Sequence, residues 1–287
     1  MNAHSLEDYY KNVPVAQREK LLNFRKNYPL KSLEIAGKTW QYLYGGTDDK
    51  TIAILAGGLG QAEPYETILR LEDSFKVLSP SYPPVKTLGE IIEGIIRILD
   101  FENIERITAM GSSLGGGVAQ VLAAEHPTRV ENLILMNTAL PVRAAAGLTK
   151  LVVGIFKILP EKTVIRMMKK QIDKMVKMVP DEEKSLSKAY FEEHFAEGVG
   201  KADVVSLFNY VADYHKNFGD VAKRLESWLG KVLIMESDDD PRAPAKHRKA
   251  LREAYPRAEV HTFRKAGHSV MLRYREECIT KIKEFLI

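Results

Sequence analysis

Short apolar runs recur along the chain, separated by segments whose apolar positions fall three or four residues apart. The runs are Ile52–Leu55, Phe75–Leu78, Ile107–Met110, Leu133–Met136, Val232–Met235 and Val260–Phe263. Near-continuous apolar runs of this length are strands buried on both faces. With helices between them they predict a mostly parallel sheet covered on both sides. Ahead of the first run, Ser32–Ile35 and Thr39–Tyr44 alternate around Ala36-Gly37-Lys38 and predict a hairpin. Residues 1–30 set Val15, Leu21, Leu22 and Phe24 among many charges and predict a helical N-terminal extension.

The helices have recognisable starts. Thr87-Leu88-Gly89-Glu90 is a capping box that opens the segment Ile91–Leu99. Ser113 is followed by Gly115, Gly116 and Gly117, then by Val118, Val121 and Leu122 at helical spacing, and Pro127 closes that helix. Between about Leu140 and Trp228 the alternation stops, and the pattern predicts several helices and no strand. Val164, Met168, Ile172, Met175 and Val179 form one apolar stripe there, with Arg166, Lys169, Lys170, Lys174 and Lys177 around it. A helical block of this size inside an α/β sheet predicts a cap over the site. The domain plan is therefore an extension over 1–30, a core over 31–139 and 229–287, and a cap over 140–228.

Composition changes this picture little. Hydrophobic residues make up 45% and charged residues 28% of 287, as in ordinary soluble domains. A net charge of +4 is mild and gives no reason to expect a nucleic-acid partner. The single cysteine, Cys278, excludes an intramolecular disulfide and any multi-cysteine metal site. No histidine, cysteine and acid cluster has metal-ligand spacing, so neither metal nor cofactor is expected. The first residues lack the apolar core of a secretory signal. The most apolar stretch, Leu148 to Leu159, is broken by Lys150 and Lys157 and falls short of the ~20 residues of a membrane span. The expectation is a cytoplasmic protein with no transmembrane segment.

Candidate chemistry begins at Gly111-Ser112-Ser113-Leu114-Gly115, a G-x-S-x-G pattern after a strand and before a helix. A nucleophile on so sharp a turn takes strained backbone angles, and the flanking glycines avoid collisions with neighbouring elements. Ser112, at the second position, should point away from the cleft. A serine hydroxyl needs a base. Of seven histidines, His4 lies in the extension and His126 in a helix-ending loop. His194, His215 and His247 fall in charged helical segments and read as surface residues, and His261 reads as a satisfied sheet histidine. His268 follows the last strand in Lys265-Ala266-Gly267-His268, at the right end of the sheet for a base. The imidazole in turn needs a carboxylate, and Asp238, Asp239 and Asp240 follow a late strand in the chain order serine, acid, histidine. Backbone N–H groups for an oxyanion hole are expected at Leu114 and at Gly58, with Leu59 as the fallback.

From about Leu33 to Ile287 the sequence resembles the α/β-hydrolase superfamily. The likeness rests on Asp100–Ile107 leading into the elbow, His126–Leu133 leading out of it, Val232–Pro244, and Ala266-Gly267-His268. It implies an acid immediately before proline, which favours Asp240 and leaves Asp239 as the alternative acid. It also implies Ser113 as nucleophile and His268 as base. Ala56-Gly57 departs from the histidine-glycine common before the oxyanion loop, and Ser112 stands where histidine is common. Phe24–Gly46, the elbow region and Ala254-Tyr255-Pro256 are also similar to the maspardin family, regarded as binding proteins of trafficking compartments with an incomplete triad.

These features together predict a serine hydrolase acting on a small-molecule ester or related acyl bond. The alternative is a maspardin-like binding or scaffold protein without catalysis. The lysines of the cap read as a solvated helix face, or else as a docking surface for anionic membranes or acyl-carrier partners. Met167, Met168, Met175 and Met178 either line an apolar pocket or pack within the cap. Oligomeric state is not legible.

Overall fold

The computed structural model describes residues 6–58, 65–177 and 179–287. Eight strands form one sheet: β1 (Lys31–Ile35), β2 (Lys38–Gly45), β3 (Thr51–Leu55), β4 (Lys76–Ser81), β5 (Ile107–Ser112), β6 (Val130–Met136), β7 (Lys231–Ser237) and β8 (Glu259–Phe263). Their spatial order is β1-β2-β4-β3-β5-β6-β7-β8. β1 and β2 form the antiparallel hairpin, β2 runs antiparallel to β4, and from β4 to β8 every pairing is parallel. The hairpin turn places Ala36 at φ 50° and Gly37 at φ 72°, the positive values that a tight two-residue hairpin turn requires. This is the α/β sheet that the apolar runs predict.

Alternate residues of the central strands feed two cores, one on each face. Ala53 and Leu55, Leu133 and Leu135, and Val232 and Ile234 point to one side; Ile52 and Ile54, Ile134 and Met136, and Leu233 and Met235 point to the other. Before the hairpin come α1 (Leu6–Tyr10) and α2 (Val15–Asn27); between strands lie α3 (Tyr65–Leu71), α4 (Leu88–Phe101) and α5 (Leu114–Glu125). The Thr87 capping box is present. Glu90 N–H donates to Thr87 Oγ1 at 3.3 Å, and Thr87 N–H donates to Glu90 Oε1 at 3.2 Å. That satisfies backbone donors a helix start otherwise leaves open.

Between β6 and β7 lie α6 (Ala145–Ile158), α7 (Glu161–Val176), α8 (Lys184–Glu197), α9 (Lys201–Asn217) and the short α10 (Val221–Arg224). This block shares the main core: Leu207, Tyr210 and Tyr214 of α9 pack into the cluster that α4 and α5 build. The N-terminal helices hold its other side. Arg25 of α2 reaches Glu193 of α8 through two bonds of 2.9 Å, and the Tyr10 hydroxyl donates to the same carboxylate. α11 (Ala245–Ala254), α12 (Val270–Arg273) and α13 (Arg275–Leu286) complete the chain. Among the described residues, no helix is long and apolar enough to cross a membrane.

Candidate active site

The parallel strands all end on one edge, and the chemistry-bearing side chains gather there. Ser113 sits between β5 and α5 with φ 53° and ψ −122°. Such a backbone costs a non-glycine residue about 1–3 kcal/mol and persists only where its surroundings hold it. Three bonds do so: Ser113 N–H to Met136 O at 2.9 Å, Thr138 Oγ1 to Ser113 O at 2.6 Å, and Gly116 N–H to Ser113 O at 3.1 Å. The turn is tight enough to dictate its glycines. A Cβ on Gly111 would fall 2.1 Å from Gly115 O, and one on Gly115 would fall 2.2 Å from Leu55 O.

His268 follows β8 and bridges two groups. Its Nε2 lies 3.0 Å from Ser113 Oγ, while its Nδ1 lies 2.8 and 2.9 Å from the two oxygens of Asp240. The Asp240 side chain is fully shielded from solvent. Burial alone would raise its pKa. Hydrogen bonds from His268, from Arg242 N–H at 2.8 Å and from Asn137 Nδ2 at 3.0 Å outweigh that, together with the attraction of the imidazole charge. The carboxyl is held below the usual range and stays ionised. An ionised carboxylate only accepts, so Nδ1 carries the imidazole hydrogen and the Nε2 lone pair faces the serine.

Asp239 points elsewhere. Its Oδ1 accepts from Ser237 Oγ at 2.6 Å and from Gly267 N–H at 2.8 Å, bonds that also hold this carboxyl below its usual range. Asp238 accepts from Lys265 N–H at 2.7 Å, and Ser237 Oγ accepts from Ala266 N–H at 3.0 Å. Every residue from Ser237 to Asp240 thus ties down one residue of the loop that delivers His268.

The loop after β3 lies against the start of α5. The Cβ position of Gly57 falls 3.7 Å from Leu114 N, the first helical residue, whose N–H has no partner within its own helix. Gly58 has φ 61°, and its carbonyl accepts from the Tyr210 hydroxyl of α9 at 3.0 Å. Leu59, the fallback donor, lies outside the described residues. A cavity of about 360 Å³ opens beside this edge. Gly57, Ser112 and Ser269 on its wall are the chain neighbours of Gly58, Ser113 and His268. The rest of its lining is mainly apolar, with Met110, Leu186, Phe191 and Met271 among it. Arg275 also borders it, committed to Glu183 through bonds of 2.6 and 2.9 Å.

A family model for the alpha/beta hydrolase fold matches residues 57–273, from the loop after β3 to the end of α12. The chain belongs to that family. Among curated proteins it is 25% identical over 211 residues to a 2-hydroxymuconate semialdehyde hydrolase of Pseudomonas putida, covering 68% of this chain and 67% of that one. It is also 25% identical over 284 residues to a proline iminopeptidase of Pestalotiopsis fici, covering 88% and 98%. Of solved structures, a hydrolase from Pseudomonas aeruginosa superposes with a TM-score of 0.72 at 21% identity, over 90% of this chain and 98% of that one.

Asn137 joins this cluster without a signal in its local sequence. Asn137, the first residue after β6, is buried with φ 44°. Its Nδ2 donates to Asp240 Oδ2 and, at 3.3 Å, to Gly267 O, while its Oδ1 accepts from Val270 N–H at 2.9 Å. Of the other histidines, His4 lies outside the described residues and His261 bonds Glu277 at 2.8 Å. His215 and His194 differ from the expectation of surface residues. His215 Nδ1 accepts from Val142 N–H at 3.0 Å and His194 stacks on Tyr190; burial lowers both pKa values. Neither described cap methionine side chain, of Met167 or of Met168, lies on the cavity wall. Met167 is exposed, Met168 packs into the helical core, and Met178 and the Met175 side chain lie outside what is described.

Proposed function

We propose that this α/β-hydrolase family member is a serine hydrolase that cleaves a carboxylic ester or related acyl bond through an acyl-enzyme. The observation that carries the reading is the line Ser113 Oγ, His268, Asp240, unbroken at hydrogen-bond distance. His268 Nε2 takes the hydroxyl proton as Ser113 Oγ bonds to the substrate carbonyl carbon. Asp240 stabilises the imidazolium that forms. The N–H groups of Leu114 and Gly58 receive the negative charge on the former carbonyl oxygen, and each such donor typically contributes about 3 kcal/mol to the transition state. His268 then protonates the leaving group. A water, deprotonated by the same imidazole, releases the acid and regenerates Ser113.

The apolar cavity beside Ser112 is the acyl pocket in this account. Its cation is already paired, which favours an uncharged acyl group. The helices between β6 and β7 act as the cap, with α8 forming the pocket wall. Hydrolase names among the relatives support the reaction class, and the family fold supports the order of the three residues along the chain. The test is turnover of a graded series of carboxylic esters by the wild-type protein and by Ser113→Ala. Hydrolysis by the wild type that Ser113→Ala abolishes supports the proposal. A folded protein inert on every ester points to the binding-protein alternative.

A further inference from the structure

α6 is amphipathic in an unusual sense, because its outward face is apolar too. Ala146, Val153 and Phe156 turn inward and are buried. On the opposite side Leu148, Leu151, Ile155 and Ile158, at intervals of three, four and three, are 67%, 62%, 43% and 82% exposed. Single exposed aliphatics are ordinary on protein surfaces, but a continuous row of four is not. At 1.5 Å per residue it runs about 15 Å along the helix.

The charge of the segment that carries this row is as lopsided as its hydropathy. Residues 141–180 hold nine basic residues, Arg143, Lys150, Lys157, Lys162, Arg166, Lys169, Lys170, Lys174 and Lys177, against two acids, Glu161 and Asp173. That net +7 exceeds the +4 of the whole chain, so the remainder of the protein is net negative. All nine basic residues are exposed, and none forms a salt bridge with a described residue. Elsewhere comparable lysines do: Lys20 pairs with Glu66 at 2.9 Å, Lys31 with Glu102 at 3.0 Å and Lys38 with Glu90 at 2.6 Å. Lys169 lies over the Phe195 ring at 5.5 Å; leaving the other cations without an acidic partner, in a segment with exposed aliphatic side chains, gives a folded monomer nothing.

We propose that α6 and the adjoining α7 form a docking surface for anionic membranes. Leu148, Leu151, Ile155 and Ile158 enter the boundary between headgroups and acyl chains, and the exposed lysines and arginines of α6 and α7 meet lipid phosphates and carboxylates. Neither signal alone holds a protein firmly on a bilayer, whereas an apolar helix face and a polybasic rim together do. Charge complementarity selects this occupant. A second copy of the chain would set like charges against each other, and a nucleic acid would leave the aliphatic row unpartnered. α6 belongs to the helical block between β6 and β7, which leaves the sheet at the edge where Ser113 and His268 sit. The inference does not depend on the chemistry of Ser113.

The test is co-sedimentation with phosphatidylcholine vesicles, with and without about one third phosphatidylserine. The wild-type protein should pellet with the anionic vesicles, stay in solution with the neutral ones, and be released by about 0.5 M salt. Leu151→Asp/Ile158→Asp and, separately, Lys169→Glu/Lys170→Glu/Lys174→Glu should each weaken binding by about tenfold or more. These positions are exposed, so unchanged circular dichroism and thermal midpoint certify the fold of each variant. Absence of binding to anionic vesicles, equal binding to neutral ones, or unaltered binding by the Leu151/Ile158 variant overturns the proposal. A wild-type dimer that the same variant converts to monomer overturns it as well, by assigning the face to self-association.

Discussion

Asn137 and Asp240, 103 positions apart in the sequence, meet through a 3.0 Å hydrogen bond from Nδ2 to Oδ2. The same amide grips Gly267 O and Val270 N–H on either side of His268. Asn137 therefore holds both Asp240, the proposed acid, and the loop that carries His268, the proposed base. Removing it with Asn137→Ala should lower kcat by ~10–100-fold with little change in KM, since misplacement of a reacting group is felt in the chemical step. Asn137→Asp should act differently. A second carboxylate beside Asp240 raises the pKa of the pair, so the acid limb of the pH–rate profile should move to higher pH. An unchanged profile in both variants would leave Asn137 a packing residue only.

Neighbouring aspartates should have unequal effects. Asp240→Asn removes the acceptor that fixes the imidazole tautomer, and kcat should drop by up to ~10⁴-fold. Asp239→Asn loses contacts to Ser237 and Gly267 but leaves the His268–Asp240 bond in place, so about tenfold or less is expected. Steady-state kinetics of the two variants decide the matter, and reversed effects would move the acid to Asp239.

The fold and the site are legible in the sequence to different depths. Six apolar runs correspond to β3 through β8; burial leaves little room for polar residues in β3 to β7, whereas the edge strand β8 buries only Phe263. Strand ends are less visible: β4 continues through Pro80 and β7 through Glu236, where backbone pairing outlasts the apolar run. Ser113 and His268 announce themselves through local neighbours. Asn137 does not, since its partners arrive from strands that become adjacent only in the folded sheet. The run Asp238 to Asp240 looks like one useful acid in a solvated loop. All three are engaged, because the 265–268 loop lies alongside. His194 and His215 mislead for a related reason: charged helices look solvated until packing shows which face is covered.

The pH dependence should carry one proton on the acid side. Its hydrogen bonds hold Asp240 below the usual carboxylate range, so it should add no second proton to the acid limb, along which the base of the proposed mechanism must be neutral. The slope of log kcat/KM against pH should then be about one. Stability follows the other group. The unfolded Asp240 takes up its proton near pH 4 whereas the folded one does so only lower, so its stabilisation is present above about pH 4 and erodes as pH falls further. Asp240→Asn should reduce this erosion in an acid-denaturation series.

Acyl selectivity should respond to the α8 wall of the cavity. Replacing Phe191 with alanine enlarges the space beside Ser112 and should raise the rate on long-chain esters relative to short ones. Equal falls on both would place the pocket elsewhere.

The proposed chemistry requires Ser113 to be an activated nucleophile. A fluorophosphonate mimics an acyl substrate and bonds only to a serine with a base and oxyanion donors beside it, so it needs no knowledge of the natural substrate. Intact mass after treatment with a small fluorophosphonate should show one adduct, and peptide mapping should place it on Ser113 and not on Ser112. Ser113→Ala should abolish labelling, and His268→Ala should slow it severely. Folded wild-type protein that stays unmodified, or that carries the adduct on another residue, would contradict the account.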